Sequence, residues 1–212
     1  MELIYYHCWE NNKMDNNYEY IYTESGEKIS GLLLIKPSIF YDERGFFFES
    51  WNKKNFHKIL ANENQEIFEL VQENHSKSKK GVLRGLHYQR EPYAQAKLVR
   101  CISGLVFDVV LDLRKESKTF GKWAGINLSA ENFNQLWIPK GFAHGFLTLS
   151  NFAEINYKTT DFWYKEYEMS IIWNDKNINI KWPFKNLDSQ LIINQKDNNA
   201  KEFSKISKAF LF

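Results

Sequence analysis

The sequence predicts an all-β fold, an antiparallel barrel or jelly roll with one short helix near its N-terminal end. Three observations predict it. Short apolar stretches recur along the chain with period-two alternation, separated by turn residues. Aromatic residues make up 17% of the chain and only 4 prolines and 10 glycines interrupt it, a composition that favours strands over a disordered chain. A single stretch, Trp51 to Leu60, sets its apolar residues Phe56, Ile59 and Leu60 at helical spacing. At 212 residues, 43% of them hydrophobic, the chain has material for one domain with a sizeable core.

In chain order, residues 1–18 place Asn11, Asn12, Asn16 and Asn17 among aromatic residues without periodicity. They are expected to form an N-terminal extension, either a flexible arm or an added strand, with residues 19–212 as the domain. Leu32 to Phe40 reads as strand around Pro37, followed by a turn at Asp42–Gly45 and an aromatic strand at Phe46–Phe48. After the helix, Ile67 to Val71 reads as strand, and Ser76 to Lys80, with its three lysines, as a solvated polar turn. Leu98 to Ile102 and Leu105 to Leu113 read as a hairpin turned at Gly104. On the second of these, Asp108 and Asp112 share a face with Val106 and Val110, which suggests a cavity lining or a solvent-facing edge. Leu136–Ile138 is a strand stopped by Pro139. Ala153 to Thr159 alternates so that Tyr157 points inward with Ala153, Ile155 and Thr159. Trp173–Asp175 is a turn, and Ile178, Ile180 and Trp182 alternate into Pro183.

The composition narrows the function. Net charge is +2 with no basic run, so nucleic acid has no electrostatic footprint on this chain. Two cysteines, Cys8 and Cys101, fit a reducing compartment and not a disulfide framework. No stretch is long and apolar enough for a signal peptide or a membrane span, so a cytoplasmic protein with no membrane partner is expected.

The chemistry concentrates in Gly81-Val82-Leu83-Arg84-Gly85-Leu86-His87-Tyr88-Gln89, closed by Gln95, Ala96 and Lys97. A histidine accepts a proton near neutral pH, and a lysine holds a developing negative charge. Together they suggest enolate chemistry, although the same residues could end a strand with satisfied polar groups. Downstream, Pro139-Lys140-Gly141-Phe142-Ala143-His144 has the Pro-x-Gly-x-x-His pattern of the second cupin motif. Metal-binding cupins supply His-x-His and a glutamate from the first motif. Here His87 is followed by Gln89, and Lys97 stands nearby. Two imidazoles beside a cation fall short of a transition-metal site, so no metal is expected.

These stretches resemble the dTDP-4-dehydrorhamnose 3,5-epimerase family from about Ile35 to Asp197. The likeness is carried by Asp42-Glu43-Arg44-Gly45-Phe46-Phe47-Phe48-Glu49, Arg84-Gly85-Leu86-His87, Gln95-Ala96-Lys97-Leu98-Val99, Pro139 to Phe146 and Trp173-Asn174-Asp175. The resemblance implies a cupin-type jelly roll, a homodimer, and a nucleotide-linked 4-keto-6-deoxy sugar as substrate, acted on without a cofactor. It casts His87 as the base, Asp197 as the carboxylate orienting it, Lys97 as the enolate stabiliser and Tyr157 as the proton donor on the far face. Arg44, Glu49, Gln72, Asn74, Arg84, His144, Glu168 and Lys196 match positions that bind the nucleotide sugar. The chain departs from the family where Ile193-Asn194-Gln195 replaces Leu-Ser-x, and where Phe162-Trp163 replaces paired tyrosines. A C3-only or C5-only epimerase and a carbohydrate-binding cupin without catalysis remain alternatives.

Overall fold

The computed structural model describes residues 17–187 and 190–212. Of the expected extension over residues 1–18, residues 1–16 lie outside the described residues. Tyr18 already opens the first strand. In chain order the elements are β1 (Tyr18–Tyr22), β2 (Lys28–Ile35), β3 (Phe40–Asp42), β4 (Gly45–Phe47), α1 (Lys53–Asn62), β5 (Gln72–Lys79), β6 (Leu83–Gln89) and β7 (Lys97–Ser103). They continue with β8 (Leu105–Asp112), β9 (Trp123–Ser129), β10 (Gln135–Ile138), β11 (Phe142–Thr148), β12 (Phe152–Thr159), β13 (Glu168–Ser170) and the short α2 (Gln195–Asn198). Two sheets face each other, one ordered β1-β2-β10-β7-β12-β5 and one ordered β13-β6-β11-β8-β9, with β3-β4 as a separate hairpin. All strand pairings are antiparallel. The expected all-β jelly roll is the architecture.

Period-two alternation sorts each strand between two cores. Inward, Val99 and Cys101 of β7, Val106 and Val110 of β8, Phe142 and Phe146 of β11 and Ala153 and Ile155 of β12 fill the space between the sheets. Outward, Val109, Leu111, Ala143 and Leu147 form a second core, covered by Trp182, Ile206, Leu211 and Phe212 from the C-terminal segment. On the outer face of the six-stranded sheet, Phe56 and Leu60 of α1 pack on Leu33, Leu98 and Trp137. The helix starts two residues later than its apolar spacing predicts, because the side chain of Asn52 accepts the N–H of Asn55 and caps it.

Three local expectations are corrected. Ser76 to Lys80 is not a polar turn; most of it belongs to β5, which pairs with β12 from Gln72↔Thr159 to Lys79↔Phe152. Its residues alternate in burial although they are nearly all polar, so no hydrophobic signal marked the strand. Ile67–Val71 forms no strand, and Phe68 and Leu70 pack onto the Trp137 core instead. The β7–β8 pair is not a hairpin, since β7 lies in the six-stranded sheet and β8 in the five-stranded one. Gly104 makes the crossing with φ +78°, and a Cβ there would sit 2.0 Å from the carbonyl oxygen of Phe152.

Candidate active site

Four elements bring the reactive residues together. β6 carries His87 on the five-stranded sheet. β7 begins with Lys97, on the inward parity of Val99 and Cys101. β12 carries Tyr157, which packs against the inner core as its alternation predicts. α2 brings in Asp197, more than a hundred residues downstream of His87. His87, Lys97 and Tyr157 line one cavity of about 300 Å³ together with Gln72, Asn74, Gln95, Trp163 and Glu168. His87 stands on the wall made by the five-stranded sheet, and Lys97 and Tyr157 on the wall made by the six-stranded sheet. The base and the proton donor named by the resemblance thus come from opposite walls. The Lys97 ammonium lies 6.0 Å from the Tyr157 ring centre.

His87 is fixed from behind. Its Nε2 is 2.6 Å from Oδ1 of Asp197, and the other carboxylate oxygen accepts the Gly85 N–H at 3.1 Å. Asp197 is fully buried. Burial pushes its carboxyl up, but the His87 hydrogen bond and charge, the Gly85 amide and Lys196 outweigh it and hold the group below the usual carboxylate range. Asn194 supplies the local geometry: its side chain caps α2 by accepting the Asp197 N–H at 2.7 Å. Asparagine thus does the capping at the position where the family has serine. Gly85 and Gly145 let β6 and β11 approach closely. A Cβ on Gly85, at φ +123°, would lie 2.6 Å from Gly145 Cα.

Burial lowers the Lys97 ammonium to about 8, although Asp108 and Glu168 pull it upward. Burial and the Glu168 charge raise the Tyr157 phenol, against the pull of Arg84, so it stays protonated and able to donate.

Gln72 and Asn74 are hydrogen-bonded to each other at 3.0 Å on the cavity wall, and Asn74 is the cross-strand partner of Tyr157. Glu168 is ion-paired with Lys196 at 2.6 Å. Arg84 donates to Ser78 Oγ at 3.1 Å. His144, the cross-strand neighbour of His87, does not line the cavity and is buried, its Nε2 2.9 and 3.0 Å from the two oxygens of Asp108. Arg44 and Glu49 are not brought to this cavity. Arg44 sits exposed at the β3–β4 turn and pairs with Asp42, and Glu49 accepts from Asn52 and Asn55 beside α1. Glu49 lines a larger hollow of about 470 Å³ between α1 and the end of β2, which contains none of the four predicted catalytic side chains.

Sequence reasoning assigned no role to Asp108 or Trp163, both of which bear on this site. The alternation of Asp108 with Val106 and Val110 was the available signal; Asp108 is fully buried, which excludes the solvent-facing edge, and it is held in the interior by His144. Among the described residues no three His, Cys, Asp or Glu side chains converge as metal ligands.

Comparison with known proteins accords with this geometry. The family model described as dTDP-4-dehydrorhamnose 3,5-epimerase matches residues 26–205. A dTDP-4-dehydrorhamnose 3,5-epimerase of Shigella flexneri is 56% identical over 176 residues, covering 83% of this chain and 93% of the relative. The crystal structure of dTDP-6-deoxy-D-glucose-3,5-epimerase from Legionella pneumophila, in complex with dTDP-4-keto-L-rhamnose, superposes with a TM-score of 0.82 at 45% identity, covering 92% of this chain and 97% of that one. A 3'-monoepimerase of Streptomyces bikiniensis, in complex with dTDP-quinovose, is similar at a TM-score of 0.75 and 30% identity, covering 82% of this chain and 84% of that one. With its family model spanning the jelly roll and the His87–Asp197 pair alike, the chain belongs to the dTDP-4-dehydrorhamnose 3,5-epimerase family.

Proposed function

We propose that this chain converts dTDP-4-dehydro-6-deoxy-D-glucose to dTDP-4-dehydro-L-rhamnose by inverting the two carbons that flank the C4 ketone. The observation that carries the reading is His87 and Tyr157 on opposite walls of one cavity, with Lys97 lining the same wall as Tyr157. Inversion next to a ketone needs a base on one face and an acid on the other. His87, oriented by Asp197, removes the α proton, and the C–H electron pair moves into the enolate with charge on the ketone oxygen. A positioned base of this kind contributes about 10² to 10⁴-fold. Lys97 stabilises the enolate oxygen, and losing such a group costs on the order of 3 kcal/mol elsewhere. Tyr157 then protonates the carbon from the other face. Between the two inversions His87 releases its proton to solvent and Tyr157 regains one.

Gln72, Asn74, Arg84, His144, Glu168 and Lys196 surround the catalytic residues and bind the nucleotide sugar in this reading. A homodimer completes it. Tyr41, Phe46 and Phe47 stand more than half exposed on the hairpin whose turn carries Arg44. A second copy would cover this apolar face and bring Arg44 and Glu49 to a nucleotide. The reaction needs no metal or cofactor. A cytoplasmic setting fits the buried, unpaired thiol of Cys101, and no helix among the described residues is long and apolar enough to cross a membrane.

Deuterium exchange followed by NMR in D₂O, with dTDP- and GDP-linked 4-keto sugars in parallel, tests the function. The reading expects deuterium at both C3 and C5 of the dTDP sugar. Exchange at one carbon alone would make it a mono-epimerase, as in the Streptomyces bikiniensis protein, and none would leave a carbohydrate-binding cupin.

A further inference from the structure

The geometry points to Gln89 as a positioning residue for the cavity rim: its carboxamide fastens the loop that carries Trp163 to the loop that leads into Lys97. The inference rests on reading the cavity as the place where the nucleotide sugar binds.

Gln89 ends β6 two residues beyond His87 and is only 3% exposed. Its Nε2 donates to the carbonyl of Phe162 at 2.9 Å and to the carbonyl of Tyr93, and its Oε1 accepts the Tyr164 N–H at 2.7 Å. Phe162 and Tyr164 flank Trp163, whose residue lines the cavity and is 52% exposed. The N–H of Trp163 itself donates to Oε1 of Gln72 at 3.0 Å. Three consecutive residues of the rim loop are thus held by two glutamines, one from each sheet. Tyr93 packs on Tyr164 with ring centres 4.1 Å apart, so the two loops form one aromatic block over the glutamine.

The donor count explains the residue type. Two carbonyls and one N–H meet at this point, and a carboxamide offers two donors and one acceptor. An imidazole has one donor and one acceptor when neutral, and a carboxylate has no donor. Asparagine has the right groups but is a methylene short. The side chain at the second metal-ligand position of the cupin motif is therefore matched to a tether. Released from Gln89, the Trp163 loop keeps the Gln72 contact, the Tyr93–Tyr164 ring contact and the hydrogen bond from Gln95 to the Asp161 carbonyl, but the residues on either side of Trp163 lose their tether while His87 and Asp197 keep their places.

The test is a kinetic double-mutant cycle on the full chain with dTDP-4-dehydro-6-deoxy-D-glucose, comparing wild type, Gln89→Ala, Gln89→Glu, Trp163→Ala and Gln89→Ala/Trp163→Ala. Gln89→Ala and Gln89→Glu should each raise KM about tenfold, the effect of losing one or two hydrogen bonds, with kcat within about threefold of wild type. Trp163→Ala should also raise KM, and the double variant should match it without a further increase, because the tether acts through an indole that is then absent. Gln89→Glu keeps the volume of the side chain and decides the matter if Gln89→Ala does not fold. A lowered melting temperature with wild-type KM, a loss confined to kcat, or KM increases that multiply in the double variant would overturn the inference. Wild type that exchanges no deuterium would instead sink the enzymatic reading of the cavity, so the two failures are distinguishable.

Discussion

Lys97 is the residue at which electrostatics and chemistry meet most directly. In the proposed mechanism it stabilises an enolate oxygen as a cation and cannot do so as an amine. Burial brings its pKa down to about 8, and Asp108 and Glu168 keep it from falling further. The ammonium is therefore the dominant form below that value and is lost above it. For the free enzyme, kcat/KM should fall as pH rises through about 8, and Lys97→Arg, whose guanidinium stays charged, should remove that basic limb while lowering the maximum rate. Rates measured from pH 6.5 to 9.5 check this, and an unbroken wild-type plateau across that range would contradict it. Asp197 has the opposite sign. Its folded-state pKa is depressed, so its stabilisation is full above the ordinary carboxylate value and is lost as pH falls through the lower one. Acid weakens the anchor of His87 only once the pH has fallen below the ordinary carboxylate range.

At the scale of elements, β6 and β11 hold the site by lying closer than side chains permit. Gly85 has φ +123°, and any Cβ there would meet Gly145 Cα at 2.6 Å. Gly85→Ala should destabilise the protein by about 3 kcal/mol or more, and activity should fall with it, because the strand that carries His87 must shift. Thermal unfolding checks this. A variant with wild-type melting temperature and full activity would show that the close approach is dispensable. Gly85 stands in the stretch where the sequence concentrates its chemistry, but nothing local says which strand it would touch. Strands with alternating apolar residues, such as β8 and β12, were legible. β5 was not, because Gln72, Asn74, Ser76 and Ser78 face inward as polar residues and give no hydrophobic alternation. The crossing at Gly104 looked like a hairpin because local turn chemistry is the same whether the chain returns to its own sheet or enters the facing one. His87 with Lys97, and the inward Tyr157, followed from the residues; Asp197 came from family resemblance, because nothing local to a polar C-terminal segment says which strand it will reach.

At the scale of the whole molecule, the exposed aromatic hairpin that carries Arg44 is the face the proposed homodimer would cover. Light scattering at micromolar concentration should give about twice the 25.3 kDa chain mass, and a fully active monomer would contradict the dimer. The jelly roll has one more consequence, since its two sheets put His87 and Tyr157, the proposed base and acid, on facing walls. That division of labour is the central claim, and deuterium exchange in two variants tests it most directly. His87→Asn keeps much of the shape but cannot serve as a base, so exchange should vanish at C3 and C5 while the melting temperature stays near wild type. Tyr157→Phe removes only the far-face proton donor, so exchange should persist at one carbon at least while the doubly inverted product falls sharply. Wild-type exchange in His87→Asn, or a wild-type product distribution from Tyr157→Phe with only a lowered melting temperature, would contradict the account.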